Sequence, residues 1–297
     1  MSAPFADRLI DSVRRAGSPL CVGLDPFPDR IPALFGNAQS STAALLNFGK
    51  AVIDIAAQHA GLLKPQLGLF EQFGEAGYGA ARLLCKHAAD LGMVIILDAK
   101  RGDIGTTAEG YARAMLGPAP GFNADCVTVN PYLGKDSLEP FFALAETDAK
   151  GVAVLVRTSN PGARDLQDLD QGGAPLWRRV AEMIAPEAVR LRSDSGWSGL
   201  MAVAGATYPH EARTLRECLP HSLFLVPGYG AQGASAADAV AGFVTGKYGR
   251  EGGVVSSSRA VTYPSTARTA RTMAAWRSSI CEAMALAKAE LSAACIA

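Results

Sequence analysis

The chain has 297 residues, and its 28 Lys and Arg side chains balance 28 Asp and Glu side chains, so that the formal net charge is zero. This balance gives no support to a nucleic-acid or anionic-membrane partner, because such binding depends on a clustered excess of positive charge. Apolar residues make up 49% and charged residues 19%, which favours a folded protein with a sizeable core over a disordered one. We expect one domain over residues 1–297.

The cysteines and the N-terminal segment are typical of a cytoplasmic protein. The six cysteines are scattered, contain no C-x-x-C pair and form no metal-type spacing with the four histidines. We interpret them as thiols in a reducing cytosol, and we expect no metal site. Residues 1–17, MSAPFADRLIDSVRRAG, lack the apolar run of a signal peptide. No segment approaches the roughly 18 uninterrupted apolar residues of a membrane span, so we predict a soluble, cytoplasmic protein.

Short apolar runs alternate with helical segments along most of the chain. Near-continuous runs of Val, Ile and Leu joined by helices indicate a parallel sheet that is covered on both faces. Eight such units fit a closed (β/α)8 barrel, the TIM barrel of the α/β class, better than an open sheet. The predicted strands are 19–25, 61–70, 93–100, 125–131, 151–159, 199–207, 222–228 and 252–260.

Segments between these runs are long enough for helices, which we predict at 41–60, 74–91, 136–147, 175–190 and 209–219. Residues 159–175 are polar and rich in turn-forming residues, which predicts an elaborated loop on the barrel rim. Residues 264–294 predict an amphipathic C-terminal helix that packs on the outer ring of the barrel. Its apolar positions recur at steps of three and four: Met273, Trp276, Ile280, Met284, Ala287 and Leu291.

Charged residues fall at the ends of several predicted strands, where the chemistry of such barrels gathers. Asp25 closes the first strand, Lys64 lies in the second, and Asp98 and Lys100 close the third. Together with Asp103 they would form an alternating acid–base array at the barrel mouth. A structural ion-pair cluster is the alternative interpretation. However, burying ions is costly, and apolar residues usually serve stability as well, so a functional array is the better prediction.

The alternation of side chains predicts where the charged pair of the third strand points. Asp98 and Lys100 share a strand face with Val94 and Ile96. An apolar face of this kind should point into the barrel. The charged pair would then lie above an apolar plug.

A glycine-rich turn, VPGYGAQGAS at 226–235, follows the seventh predicted strand. Gly228, Gly230 and Gly233 would let backbone N–H groups turn toward an anion, and the loops after strands seven and eight are the usual phosphate site of these barrels. Arg259, at the end of the eighth strand, can add a bidentate charged contact. A plain tight turn is the alternative, but the neighbouring arginine favours a phosphate site.

These residues together resemble the orotidine 5′-phosphate decarboxylase family. The stretch LDAKRGDIGTT resembles the D-x-K-x-x-D signature of that family, and CVGLDP, LLKPQ, RTSNPG, VPGYGAQG and SSSRA match its other blocks in order, from about residue 20 to 262. The sequences of these motifs are similar to those of a longer bacterial subgroup of the family. When the shorter family members are aligned by these motifs, they have no counterpart of segments 160–197 and 233–251. The resemblance implies a TIM barrel that converts orotidine 5′-phosphate to uridine 5′-phosphate without a metal or organic cofactor.

Roles for the residues at the mouth follow from the resemblance alone. Lys100 would be the proton donor to C6 of the substrate and would be flanked by Asp98. Lys64 and Asp25 would complete the charged array near the ribose hydroxyls, and Ser159 would contact the pyrimidine ring.

The resemblance also implies a phosphate site and a homodimer. Gln232 and Arg259 would hold the 5′-phosphate, with Pro227 at the start of a closing loop. Asp103 and Thr107 would reach across the dimer interface and contact the ribose in the site of the neighbouring subunit.

Three other functions compete with this interpretation. A Mg²⁺-dependent sugar-phosphate decarboxylase or epimerase on a related barrel also fits a D-x-K-x-x-D pattern, but LLKPQ and PGYGAQG favour the pyrimidine enzyme. A Schiff-base aldolase needs a neutral lysine, whereas aspartates beside Lys100 favour its charged form. A catalytically silent nucleotide-binding protein has no need of an intact acid–base array.

Overall fold

Ten β-strands are found in the computed structural model of the chain, which describes residues 3–39, 41–230 and 233–296. They are β1 (Leu20–Leu24), β2 (Leu62–Pro65), β3 (Val94–Arg101), β4 (Cys126–Val129), β5 (Gly151–Arg157), β6 (Ser198–Ala204), β7 (Ser222–Val226), β8 (Val244–Gly246), β9 (Gly249–Glu251) and β10 (Gly253–Ser257). Eight of them close a parallel barrel in the order β1-β10-β7-β6-β5-β4-β3-β2. The predicted barrel is therefore confirmed, while β8 and β9 form a separate antiparallel hairpin.

The helices lie between the strands and cover the barrel. They are α1 (Phe5–Ala16), α2 (Thr42–His59), α3 (Leu67–Glu71), α4 (Gly74–Asp90), α5 (Gly105–Leu116), α6 (Glu139–Asp148), α7 (Arg164–Gln167), α8 (Leu176–Arg190), α9 (Pro209–Cys218), α10 (Ala236–Ala239), α11 (Arg259–Thr262), α12 (Ser265–Arg268) and α13 (Met273–Ile296). Short 3₁₀ helices lie at Ala33–Phe35, Pro131–Leu133, Lys135–Ser137 and Pro161–Ala163. No helix among the described residues is long and apolar enough to cross a membrane.

Three predicted elements extend across a boundary between observed elements. The eighth strand was predicted over 252–260, but β10 ends at Ser257 and Arg259 begins α11. The second strand was predicted over 61–70, but β2 ends at Pro65 and α3 begins at Leu67, because Leu67, Leu69 and Phe70 add further apolar residues beyond the end of the strand. The C-terminal helix was predicted over 264–294, but it is divided into α12 and α13. Thr272 is the N-cap of α13, since its hydroxyl accepts a hydrogen bond from the amide of Ala275 at 3.2 Å.

The barrel interior is an apolar cluster that is closed at one end by α1. Val94 and Ile96 are both in this cluster, as the side-chain alternation predicted. Phe5 on α1 belongs to it as well, and its ring lies so close to Gly151 that a Cβ there would be 2.4 Å from it. The carboxyl ends of the strands are left as the open end of the barrel, which is where a site can form.

The two segments without motif counterparts are folded. Residues 160–197 contain α7 and α8, and Arg157 at the end of β5 holds this rim through an ion pair with Asp168 at 2.7 Å. Residues 233–251 contain α10 and the β8–β9 hairpin, which packs against α13: a Cβ at Gly249 would lie 2.6 Å from the Cys295 carbonyl oxygen. The rim segment borders the barrel mouth, so it shapes access to any site there.

Candidate active site

Two neighbouring strands bring a lysine and an aspartate together at the mouth. Lys64 lies on β2 and Asp98 on β3, and both side chains are almost fully buried. The ammonium Nζ of Lys64 donates to Asp98 Oδ2 at 2.6 Å. On the other side of Lys64, β1 presents Gly23 in register with it. Because Lys64 has a glycine on one side and a carboxylate on the other, its position is tightly defined.

Charge governs the ionisation of this buried pair. Burial alone raises the pKa of Asp98, but the ammonium groups of Lys64 and Lys100 outweigh it and hold that pKa well below its usual range. Burial likewise opposes the charged form of Lys64, and the carboxylates of Asp98 and Asp25 outweigh it and raise the pKa of that lysine. Both groups are therefore charged throughout the neutral range.

Lys100 completes the array from the outer side. Its Nζ lies 2.5 Å from Asp98 Oδ1, so the two lysines bind different oxygens of one carboxylate. Lys100 differs from Lys64 in exposure, with 45% of its side chain accessible against 7%. Its backbone is left-handed, with φ of 48°, at an irregularity in the pairing of β3 with β4. An accessible ammonium group held by a buried carboxylate is suited to act on a bound ligand.

A cavity of about 870 Å³ opens above this array. Leu155, Val203 and Leu225 give it an apolar wall that belongs to the barrel interior. The predicted site residues that line the cavity are Asp25, Lys64, Asp98, Lys100, Ser159, Pro227 and Arg259. One carboxylate oxygen of Asp25 is buried and has no hydrogen-bond partner among the described residues.

The glycine-rich turn is only partly organised as an anion site. Gly228, Gly230 and Gly233 all have positive φ values, as such a turn requires. However, the amides of Gly230 and Gly233 donate within the turn, to the carbonyls of Ala234 at 3.1 Å and Gly230 at 2.9 Å. The prediction that these two amides face an anion is therefore wrong for this conformation, because the turn satisfies them itself.

A cationic side chain that was predicted to bind phosphate lies next to this turn. Arg259 is exposed at the start of α11 and faces the same cavity as Pro227. Gln232, the other predicted phosphate ligand, lies outside the described residues. An anion between the seventh and eighth barrel strands would therefore meet the guanidinium group first.

Two predicted site residues are not in the cavity of their own chain. The Asp103 carboxylate accepts a hydrogen bond from the adjacent Ile104 amide at 2.8 Å, and Thr107 is exposed on α5. Neither lines the cavity, so Asp103 does not complete an array of five charges within one chain. Both residues follow the irregular end of β3, where its pairing with β4 shifts register.

The structure adds residues that the sequence interpretation missed. Thr128 on β4 donates to Asp98 Oδ1 at 3.0 Å, and Gln66 and Asn130 line the cavity. Thr128 could have been found from the sequence as a hydroxyl residue within the otherwise apolar run CVTV, which is buried. Within the described ranges, no three His, Cys, Asp or Glu side chains are grouped as a metal site.

Known proteins share both the sequence and the fold of this chain. The sequence pattern of the "Orotidine 5'-phosphate decarboxylase / HUMPS family" matches residues 18–272. The orotidine 5′-phosphate decarboxylase of Rhodopirellula baltica is 42% identical over 270 residues, which cover 87% of this chain and 88% of that protein. The corresponding Azoarcus sp. enzyme is 42% identical over 260 residues, with 87% and 90% covered.

A solved structure agrees with the sequence comparison. The orotidine 5′-phosphate decarboxylase (OMP decarboxylase) of Leishmania donovani superposes with a TM-score of 0.77 at 30% identity, and 98% of each chain is covered. The family pattern and these relatives extend over most of the chain, including all eight strands of the barrel. The chain therefore belongs to the orotidine 5′-phosphate decarboxylase / HUMPS family.

Proposed function

We propose that this chain decarboxylates orotidine 5′-phosphate to uridine 5′-phosphate, and that Lys100 protonates C6 of the pyrimidine. The observation that carries the proposal is the Lys64–Asp98–Lys100 array at the mouth of a cavity, in a chain whose relatives are named for this reaction. The sugar-phosphate alternative has no comparable support among the named relatives.

The chemistry requires fixed charge more than a nucleophile. Loss of CO₂ leaves a carbanion-like centre at C6, and the ring offers no electron sink at this position. A preoriented ammonium group stabilises that charge and supplies the proton. Opposite unit charges about 4 Å apart attract by roughly 4 kcal/mol at an effective dielectric constant of about 20. Lys100 therefore contributes substantially, but the acceleration also needs other sources.

Asp98 contributes by position. Its carboxylate holds Lys100 at 2.5 Å and lies at the cavity floor, where the carboxylate of the substrate would enter. Repulsion between the two carboxylates would be relieved as CO₂ leaves, and the apolar wall of Leu155, Val203 and Leu225 would receive the neutral product. Lys64 keeps Asp98 ionised throughout.

The remaining contacts orient the nucleotide. Asp25 would accept a hydrogen bond from a ribose hydroxyl, and Ser159 would contact the pyrimidine. Arg259 and Gln232 would hold the 5′-phosphate, with Pro227 at the start of the loop that closes over it. Charge-assisted hydrogen bonds contribute about 1.5–3 kcal/mol each, so phosphate binding can drive loop closure and exclude water.

We further infer a homodimer in which Asp103 and Thr107 enter the site of the partner subunit. Both lie on the outer side of their own barrel mouth and outside their own cavity. Ile104, next to Asp103 in the chain, is 57% exposed, and Tyr132 at the cavity is 75% exposed; a second copy would cover these apolar side chains. The isolated chain would then lack two of its ribose contacts.

The setting of the enzyme follows from the same proposal. We place it in the cytoplasm, where its six free thiols would stay reduced, as one barrel domain over residues 1–297.

A turnover assay tests the function. The purified chain should release CO₂ from orotidine 5′-phosphate, and EDTA should not reduce the rate. Lys100→Ala should lower kcat by at least about 10⁴-fold, because it removes both the proton donor and the fixed charge. Binding of uridine 5′-phosphate should change far less. Inhibition by EDTA would favour the Mg²⁺-dependent alternative, and binding without turnover would favour a silent nucleotide-binding protein.

A further inference from the structure

Thr128 carries a buried hydroxyl that links two members of the charged array at the lining of the cavity. It lies in the centre of β4 and is 1% exposed. Its Oγ1 lies 3.0 Å from Asp98 Oδ1, 2.9 Å from the amide nitrogen of Ala99 and 2.8 Å from that of Lys100. Three consecutive residues of β3 therefore meet at one oxygen atom.

The hydrogen-bond capacity of a hydroxyl fixes the direction of each bond. Oγ1 carries one proton and two lone pairs. The amides of Ala99 and Lys100 can only donate, so they occupy the lone pairs. The hydroxyl proton is then left for Asp98, whose ionised carboxylate can only accept. The one proton and both lone pairs of Thr128 Oγ1 therefore form hydrogen bonds, and the proton is donated to the charged form of Asp98.

The backbone explains why an acceptor is needed at this point. Leu97 pairs with Val127 and Arg101 pairs with Val129, so β3 has more residues than β4 across this interval. The irregularity removes the amides of Ala99 and Lys100 from the regular ladder, and Lys100 adopts a left-handed φ of 48°. Such a backbone is unfavourable for a non-glycine residue and persists where its surroundings hold it.

We infer that Thr128 is a positioning residue for decarboxylation: it holds the backbone of Lys100 and one oxygen of Asp98 in a single arrangement. The inference rests on the proposed function, because it assigns Thr128 to the same reaction. Its effect should appear in turnover more than in substrate binding, since Thr128 acts on the groups that meet developing charge.

Removing the hydroxyl tests this inference. Thr128→Val keeps the shape of the side chain and should lower kcat by about 10- to 100-fold, with KM changed by less than about threefold. Thr128→Ser keeps the hydroxyl and should stay within about threefold of the parent kcat. Thr128→Ala, compared with Thr128→Ser, repeats the contrast if the valine variant does not fold.

A matched variant separates positioning from stability. Val129→Ala, on the same strand and equally buried, should lower Tm without lowering kcat of the folded enzyme. The inference is overturned if Thr128→Val and Thr128→Ala retain the parent kcat, if Thr128→Ser loses as much as Thr128→Val, or if the loss lies entirely in KM.

Hydrogen exchange gives a readout that does not depend on activity. In Thr128→Val the amides of Ala99 and Lys100 lose their acceptor, so the peptide containing them should exchange faster than in Thr128→Ser. Unchanged exchange would refute the positioning role even in an active enzyme. If Thr128→Val exchanges faster but the parent protein does not release CO₂, the proposed function is refuted, while the local geometry around Thr128 stands.

Discussion

Lys64 on β2 donates to Asp98 on β3 with 2.6 Å between Nζ and Oδ2, and both side chains are more than nine-tenths buried. A buried ion is tolerated only when it is paired and hydrogen-bonded. Asp98 meets this condition because Lys100 and Thr128 bind its other oxygen. The carboxylate is therefore the centre of the array, and the predictions below begin with it.

Asp98→Asn should destabilise the fold at neutral pH by about 3–5 kcal/mol, because it leaves Lys64 charged and buried without its partner. Urea unfolding of both proteins at pH 7 measures this difference. Asp90→Asn is the matched control, since Asp90 forms an exposed pair with Lys86 and should cost about 0.5 kcal/mol or less. Equal stability of the parent and Asp98→Asn would contradict the prediction.

The same pair predicts how stability depends on pH. The pKa of Asp98 is lowered on folding, so its contribution is present above the ordinary value of about 4 and is lost as the pH falls toward the folded value. The pKa of Lys64 is raised, so its contribution is present below about 10.4 and is lost as the pH rises through the folded value. The difference in unfolding free energy between parent and Asp98→Asn should be constant from about pH 5 to 9 and shrink below about pH 4. A difference that does not shrink on acidification would contradict the assignment.

Arg259→Ala should act only on substrates that carry a phosphate. We expect kcat/KM for orotidine 5′-phosphate to fall by about 100-fold, which corresponds to the upper range for one charged hydrogen-bond donor. The slow reaction of orotidine, which lacks the phosphate, should change by less than about twofold. Arg268→Ala, an exposed arginine on α12 outside the cavity, is the control. Equal losses on both substrates would remove Arg259 from the phosphate site.

Subunit mixing tests whether Asp103 serves the neighbouring site. Lys100→Ala and Asp103→Asn should each be almost inactive as homodimers. In a mixed dimer one site receives Lys100 and Asp103 from different subunits and is intact, while the other has lost both. An equimolar mixture should therefore recover about a quarter of the parent activity after exchange. No recovery, in a mixture that mass spectrometry shows to have exchanged subunits, would place both residues in one chain's site.

Arg216→Met should destabilise the protein without affecting the chemistry. The guanidinium of Arg216 is buried and donates to the carbonyls of Leu219, Pro220, Ser222, Gly242 and Gly252, at the end of the barrel where β7 and β10 begin. Methionine fills the space but cannot donate to these carbonyls, so unfolding free energy should fall by about 3–5 kcal/mol. Thermal unfolding and kcat measured on the folded protein check both parts. A large loss of kcat would indicate coupling across the barrel.

Much of this site was predictable from sequence because strand periodicity is a local property. The apolar run before Asp98 and its alternation place Val94 and Ile96 in the barrel interior, and Asp98 follows on the same face. On the adjacent strand Leu62 is in register with Val94, and Lys64 follows Leu62 on the same face. Since parallel strands of a barrel end at one rim, the meeting of these two side chains follows from pattern and topology together.

Other features were not predictable, because they depend on how distant residues meet. The hairpin of β8 and β9 precedes β10 in the chain, and no periodic pattern in the sequence predicted it. Arg216 looks like an ordinary charged helix residue in the sequence, and its burial depends on carbonyls contributed by separate loops.

The sequence by itself determined the eight-stranded barrel, the rim at which charges gather, and the acid and base types present there. Only the tertiary structure decided the irregular pairing of β3 with β4, the left-handed backbone of Lys100, and the position of Asp103 outside the cavity. The physical reason is that strand register is set by contacts between separate strands. Residues 97–101 leave the regular ladder where Thr128, some thirty positions later, offers an oxygen to the amides of Ala99 and Lys100.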